Sequence, residues 1–232
     1  MKRFWASAHA IPTDGGYSVT LDARPMRTPA KASLVVPTMA LATAIAEEWD
    51  AQGETVDPLS MPVTRTANSA IDKIMPQRDA VEAMLAEYGG TDLLSYRAEH
   101  PEALVARQAE HWDPLLDWAA SAHGARLSTT AGIMPVAQDP DATSKLAAPM
   151  RDMSAFELAG FHDLVALTGS LVLGLAAAED ARPPETIWSL SRLDEDWQAE
   201  EWGIDEEAAE AAERRKADFL QAHRFLCLAR AD

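Results

Sequence analysis

Apolar and polar residues alternate near the start of the chain, then settle into a rhythm of three to four. Tyr17, Val19 and Leu21 alternate with Ser18 and Thr20, the two-residue period of a half-buried strand. Gly15-Gly16 is a turn signal, so residues 4–11 and 17–21 are expected as a hairpin. Asp22-Ala23-Arg24-Pro25 reads as a second turn, and Leu34, Val35 and Val36 as a short strand stopped by Pro37. Leu41, Ile45 and Trp49 then lie four apart, which predicts a helix over residues 39–52. Thr38 is placed to cap its start and Gly53 to end it. Residues 55–62 hold two prolines and no helical period, so they read as a loop and a domain boundary. The pattern predicts an α+β protein: a small β-rich region over residues 1–60, then a larger all-α helical domain over residues 61–232.

The second region is helical almost throughout. Ala67, Ala70, Ile71 and Ile74 make one apolar face, and Val81, Met84, Leu85 and Tyr88 the next. Gly89-Gly90 ends that run, and Thr91 or Asp92 is placed to start another. Pro101 suits a first helical turn. Leu104, Gln108 and Trp112 follow at four-residue spacing, Asp113-Pro114 reads as a cap and a fresh start, and Gly124 closes the helix. Residues 125–138 read as a loop or short extended excursion. Ser154 and Glu157 fit a capping box. The apolar stretch over residues 165–178 reads as a buried helix pair around Gly169-Ser170, too short for a bilayer span of about 20 residues. Pro183-Pro184 opens a helix containing Ile187, Leu190, Leu193 and Trp197, which Gly203 ends. Asp205 is placed to cap the last helix, which carries Phe219, Ala222 and Leu226.

Charge narrows the function classes. There are 37 acidic against 20 basic residues, a formal net charge of −17. No basic stripe is present to displace counterions, which argues against nucleic acid and against anionic membrane surfaces. An acidic surface suits solubility, and equally a partner with a basic face. Met1-Lys2-Arg3 could mimic a signal-peptide start, but His9 and Pro12 interrupt the apolar run that must follow. The single cysteine, Cys227, sits between Leu226 and Leu228; it reads as an inert core thiol, so no oxidising compartment is required and a reducing one is expected.

Candidate chemistry is sparse. Neither a dinucleotide fingerprint nor a phosphate loop occurs, and no serine sits in a nucleophile elbow. The six histidines show no helical zinc spacing with one another, and the adjacent His162-Asp163 makes a poor chelate. Carboxylate pairs such as Glu47-Glu48 and Glu206-Glu207 read as solvated faces in so acidic a chain. No catalytic, cofactor-binding or metal-binding residue is assigned. The tryptophans say more. Trp49 and Trp112 read as core. Trp202, at a helix end before Gly203 in a strongly acidic stretch, fits core packing or a binding hot spot equally.

An ordered series of short motifs runs along the chain: Tyr17 to Pro25, Arg27-Thr28-Pro29, Glu48-Trp49-Asp50-Ala51-Gln52, Met61-Pro62 and Ala70-Ile71-Asp72. It continues with Tyr88, Thr91-Asp92-Leu93-Leu94, Tyr96-Arg97, Gln108, Trp112-Asp113-Pro114, Ser170, Gln198, Glu201-Trp202-Gly203 and Glu206. The series resembles the ATP synthase assembly chaperone family that receives the alpha subunit in mitochondria and related bacteria.

The resemblance implies a chaperone and not an enzyme: a monomer in the bacterial cytoplasm (mitochondrial matrix in eukaryotic relatives). It would cover the beta-facing surface of an unassembled alpha subunit until the beta subunit displaces it. In the family an acidic residue shortly after the Trp-Gly pair matters for function, and that position is Glu206 here. Glu206, Trp202, Gly203 and Glu201 are therefore the candidate partner-binding residues; the plainer role for Glu206 is to favour a helix N-terminus through the macrodipole. Two departures stand out. Many relatives carry His-Asp just after that glutamate where this chain has Ala209-Glu210, and a cysteine common in the Thr-Asp motif is Ser95. The competing readings are a small-molecule or metal-assisted hydrolase and a generic protein-interaction module.

Overall fold

The computed structural model describes residues 2–132 and 134–231; Met1, in the signal-like start, and Ile133, in the 125–138 loop, lie outside the described residues, as does Asp232. In chain order the strands are β1 (Ala8–Thr13), β2 (Gly16–Leu21), β3 (Arg24–Pro25), β4 (Val35–Val36), β5 (Tyr96–Arg97) and β6 (Thr130–Ala131). The helices are α1 (Met39–Asp50), α2 (Pro62–Ser69), α3 (Arg78–Glu87), α4 (Glu102–Ala122), α5 (Pro140–Ala147), α6 (Ala155–Thr168), α7 (Leu171–Ala178), α8 (Pro184–Ser191), α9 (Leu193–Trp202) and α10 (Glu206–Arg230). The architecture is α+β, with strands first and a larger helical part after them.

Two compact units divide the chain. The first takes the chain up to Arg78, then Met153–Gly160, then the chain from Gln221 onward; the second takes Asp79–Asp152 and Phe161–Leu220. Residues 55–62 do not separate them. Asp57 N–H donates to Gln52 Oε1 at 2.7 Å, and Gln52 Nε2 donates to Ser60 Oγ at 3.0 Å, which pins this loop within the first unit.

In the first unit β1 and β2 pair antiparallel from Ala8↔Leu21 to Thr13↔Gly16, with Asp14-Gly15 in the turn. The turn therefore sits one residue earlier than the glycine pair suggests. Gly16 cannot carry a side chain, because a Cβ there would lie 2.5 Å from the Val36 carbonyl oxygen. β3 and β4 share the other edge of β2. As the central strand, β2 is covered on both faces, so Ser18 and Thr20 are buried alongside Val19 and Leu21 instead of facing water. Ser18 meets the cost of burial by donating to the Leu34 carbonyl at 2.7 Å. α1 packs on β1 and β2 through Leu41 and Ile45, with Thr38 Oγ accepting from Leu41 N–H at 3.0 Å. It ends at Asp50, two residues before the expected 52, and Trp49 is half-buried. The Ser154/Glu157 capping box forms as the pattern predicts, with bonds of 2.8 and 3.2 Å.

In the second unit α7 is buried at every position, and Trp112, Leu85, Leu94 and Phe161 are fully enclosed. Trp112 Nε1 donates to the Leu190 carbonyl at 2.9 Å, so its polar edge is satisfied. α4 runs unbroken through Pro114, where a fresh start was expected. Proline removes one helical donor, and Pro114 faces solvent, where water can serve the freed carbonyl. The single helix expected after Pro184 is two, α8 and α9, interrupted at Arg192 with φ −106° and ψ 6°. Strands β5 and β6 pair in parallel, which realises the short extended excursion in the 125–138 segment.

Candidate functional site

The acidic corner between α9 and α10 belongs to the second unit. α9 ends at Trp202, whose side chain is 81% exposed, and Ile204 two residues on is 74% exposed. Every residue from Glu200 to Glu210 faces solvent. Between the helices Gly203 takes φ 96° and ψ 159°, a region essentially reserved for glycine. Its N–H still donates to the Ala199 carbonyl at 3.0 Å, closing α9. Asp205 then caps α10, its Oδ1 accepting from Glu207 and Ala208 N–H at 3.0 and 3.2 Å, as its position predicts. Glu206 is the first residue of α10, where a negative charge suits the helix dipole. Trp202 is exposed, not core. The four candidates Glu201, Trp202, Gly203 and Glu206 all lie within the α9–α10 corner.

The corner stands on a fixed base. Arg107 on α4 donates two hydrogen bonds to Glu200, at 2.6 and 2.9 Å, and lies over the Trp197 ring at 5.7 Å. The hydrogen bond from Arg107 holds the Glu200 carboxyl below its ordinary pKa and raises the guanidinium above its own. Gln108 Nε2 donates to Asp194 at 2.7 Å, and Arg192 binds Glu195 at 2.7 Å. Burial pushes the Asp196 carboxyl up. Together these contacts hold α9 against α4 while its last turn projects freely.

The other motifs of the series meet one another inside the units, and sequence reading missed their roles. Glu48 accepts from Val63 and Thr64 N–H, both at 2.7 Å, and so caps α2 beside Met61-Pro62. Asp72 accepts from Thr28 Oγ1 at 2.6 Å and from Ala30 N–H at 3.0 Å. Arg97 pairs with Asp113 at 2.8 Å. Asp92, fully buried, accepts from Ser170 Oγ at 2.7 Å and from Leu94 and Val172 N–H at 3.0 Å. Each is a polar residue whose partner lies as many as 80 residues away, so no local pattern marks it. These motifs are accounted for by folding. Among the described residues, Trp202, Ile204, Glu201 and Glu206 make no side-chain hydrogen bond, ion pair or ring contact, so folding does not account for them.

Other candidates fall away or change character. Cys227 is exposed, not a core thiol, because α10 turns Leu226 inward and its neighbour outward. Its Sγ lies 3.9 Å from His223 Nδ1, one turn earlier on the helix. His162 and Asp163 do meet, Nδ1 to Oδ1 at 2.8 Å, despite being adjacent. Among the described residues no group of three or more His, Cys, Asp and Glu could hold a metal, and no helix is long and apolar enough to cross a membrane. A hollow of about 560 Å³ lined by Lys2, Arg3, Trp5 and residues 52–55 holds one carboxylate, Glu54, and no histidine.

An exposed aromatic among carboxylates has the anatomy of a surface that binds another protein. The comparisons make the class particular. A family model described as ATP12 chaperone protein matches residues 2–120, and this chain belongs to the ATP12 chaperone family. The crystal structure of Atp12 from Paracoccus denitrificans is 54% identical, with a TM-score of 0.95 over 98% of each chain. A lysine-for-aspartate variant of P. denitrificans Atp12p matches with the same identity and TM-score, over 98% of this chain and 97% of that one. The mitochondrial protein atp12 of Schizosaccharomyces pombe is 25% identical over 221 residues, 90% of this chain and 76% of its own. The stretch matched by the family model ends within α4, before the α9–α10 corner.

Proposed function

We propose that this chain is an assembly chaperone of the ATP synthase catalytic head that binds the unassembled alpha subunit through the α9–α10 corner. In this reading it works as a monomer in the bacterial cytoplasm and catalyses no reaction. The observation that carries the reading is the exposure of Trp202 and Ile204 on either side of Gly203, with no intramolecular partner among the described residues. Covering each of them on a partner is worth about 1.5–3 kcal/mol. The surrounding carboxylates keep such an apolar pair soluble while the partner is absent.

A subunit awaiting assembly exposes the surface that will later be an interface, and exposed apolar surface aggregates. A binder that covers it reversibly, and yields to the final subunit, needs affinity without chemistry. The direct test is recovery of partners on the tagged protein from native cell extract, identified by mass spectrometry. The reading expects the alpha subunit to be the main protein recovered; its absence sinks the reading.

A further inference from the structure

Among the described residues, three tryptophans carry an arginine over the ring. The Arg3 guanidinium lies 5.4 Å from the Trp5 centroid, Arg97 lies 5.3 Å from that of Trp112, and Arg107 lies 5.7 Å from that of Trp197. Within about 6 Å a guanidinium is attracted to the negative face of the ring, and indole is the best such face. On α9 the arrangement is complete. Arg107 lies over Trp197 and at the same time gives two N–H donors to Glu200.

Five residues on, Trp202 offers the same chemistry outward. Glu201 precedes it, and Glu206 follows it at the start of α10. Among the described residues no guanidinium lies over Trp202, and neither of those two carboxylates has an ion-pair partner. Several neighbouring acids are occupied: Glu200 by Arg107, Glu195 by Arg192, Glu210 by Arg214, and Asp205 by its own helix N-terminus, while Glu207 beside Glu206 shares its open position. Residues 193–213 hold ten acidic side chains and no lysine or arginine, so no cation from this stretch can serve Trp202.

We infer that Trp202, with the carboxylates of Glu201 and Glu206, is a receptor for an arginine side chain on the partner protein. The inference rests on the reading that this corner is the partner-binding surface, and it narrows the partner to a basic, arginine-bearing face. The guanidinium stacks on the indole and its N–H groups reach the carboxylates, while Ile204 covers the alkyl stem. A purely apolar partner pocket would gain nothing from the acidic surround, since charged groups flanking it would have to lose water.

The test compares binding of the purified alpha subunit by the wild type, Trp202→Phe and Trp202→Leu, at low and at high salt. Leucine keeps apolar area and loses the ring face; phenylalanine keeps a face. Binding is expected to weaken about tenfold for Trp202→Leu and less than about threefold for Trp202→Phe, with high salt weakening the wild type. Equal affinities for the two variants, or affinity indifferent to salt, overturn the inference while leaving alpha-subunit binding intact. If the wild type binds no alpha subunit, the functional reading has failed, and the arginine receptor is judged separately. The indole N–H resonance of Trp202 is then followed by NMR during titration with an arginine–glycine repeat peptide and with its lysine counterpart. A shift that saturates at lower concentration with arginine upholds the receptor; no shift with either peptide, or equal shifts, removes it.

Discussion

The buried carboxylate of Asp92 accepts the hydroxyl hydrogen of Ser170 at 2.7 Å across 78 residues of sequence. The same carboxylate accepts from Leu94 and Val172 N–H, and Ser170 Oγ accepts from Leu173 N–H at 3.0 Å. The pair thus serves the free donors at the start of α7 and ties them to the turn after Gly90.

Removing the acceptor strands several buried donors at once. Asp92→Ala is expected to lower stability by about 3 kcal/mol or more, and Ser170→Ala by about 1–2 kcal/mol. Urea unfolding monitored by tryptophan fluorescence checks both. A double variant that costs the sum of the two singles would show that the groups do not act together.

Two carboxyls should give stability opposite dependences on pH. Burial raises the Asp92 pKa against hydrogen bonds that lower it. A raised folded-state value means its contribution is full below the unfolded pKa of about 4 and declines as pH rises through the folded value. For Glu157 burial also pulls upward, but the Ser154 and Arg230 hydrogen bonds together outweigh it and the pKa is lowered. Its contribution is present above the unfolded value and is lost as pH falls through the folded one. The stability advantage of the wild type over Asp92→Asn should therefore shrink from acid toward neutral pH, and over Glu157→Gln it should grow. Unfolding curves of the three proteins across that range check the sign of each.

Gly203 has open space where a Cβ would go, so the cost of Gly203→Ala is one of backbone alone, about 1–3 kcal/mol. Gly53, with equally open space and no positive φ, is the control and should accept alanine with little change. Thermal unfolding of the two variants separates strain at the corner from loss of glycine as such.

Glu206→Lys removes a favourable charge at the start of α10 and should cost no more than about 1 kcal/mol. The fold, followed by circular dichroism, stays intact. Affinity for the alpha subunit should drop by about tenfold or more, because a cation replaces an anion beside the receptor for a basic face. Undiminished affinity removes Glu206 from the site.

Much of this was legible in the sequence where the signal is local. The hairpin followed from Tyr17, Val19 and Leu21, and the caps at Thr38, Ser154 and Asp205 from residue type and position alone. Local reading failed where tertiary contacts decide. Asp113-Pro114 imitates a helix start, yet Trp112 and Leu115 on either side are both held in the core, so α4 continues. Ser18 and Thr20 look solvent-facing by their alternation, yet both are buried in the central strand. Cys227 shares a run of apolar letters but falls on the outer face of α10.

The corner itself was half legible. Composition marked Trp202 as unusual but could not choose between core and surface, because a helix-end tryptophan beside acids occurs in both. Its exposure depends on where α9 stops, and Gly203 sets that. Asp92 and Asp72 read only as a turn residue and a polar position, since their partners are distant in the chain and no local rule joins them.

Light scattering of purified alpha subunit, diluted from denaturant with and without an equimolar amount of this protein, measures whether the protein keeps that subunit soluble. Scattering is expected to be suppressed at equimolar ratio and restored by Glu206→Lys, and added beta subunit is expected to release the chaperone. Alpha subunit that aggregates at the same rate with and without the protein would contradict the proposed function.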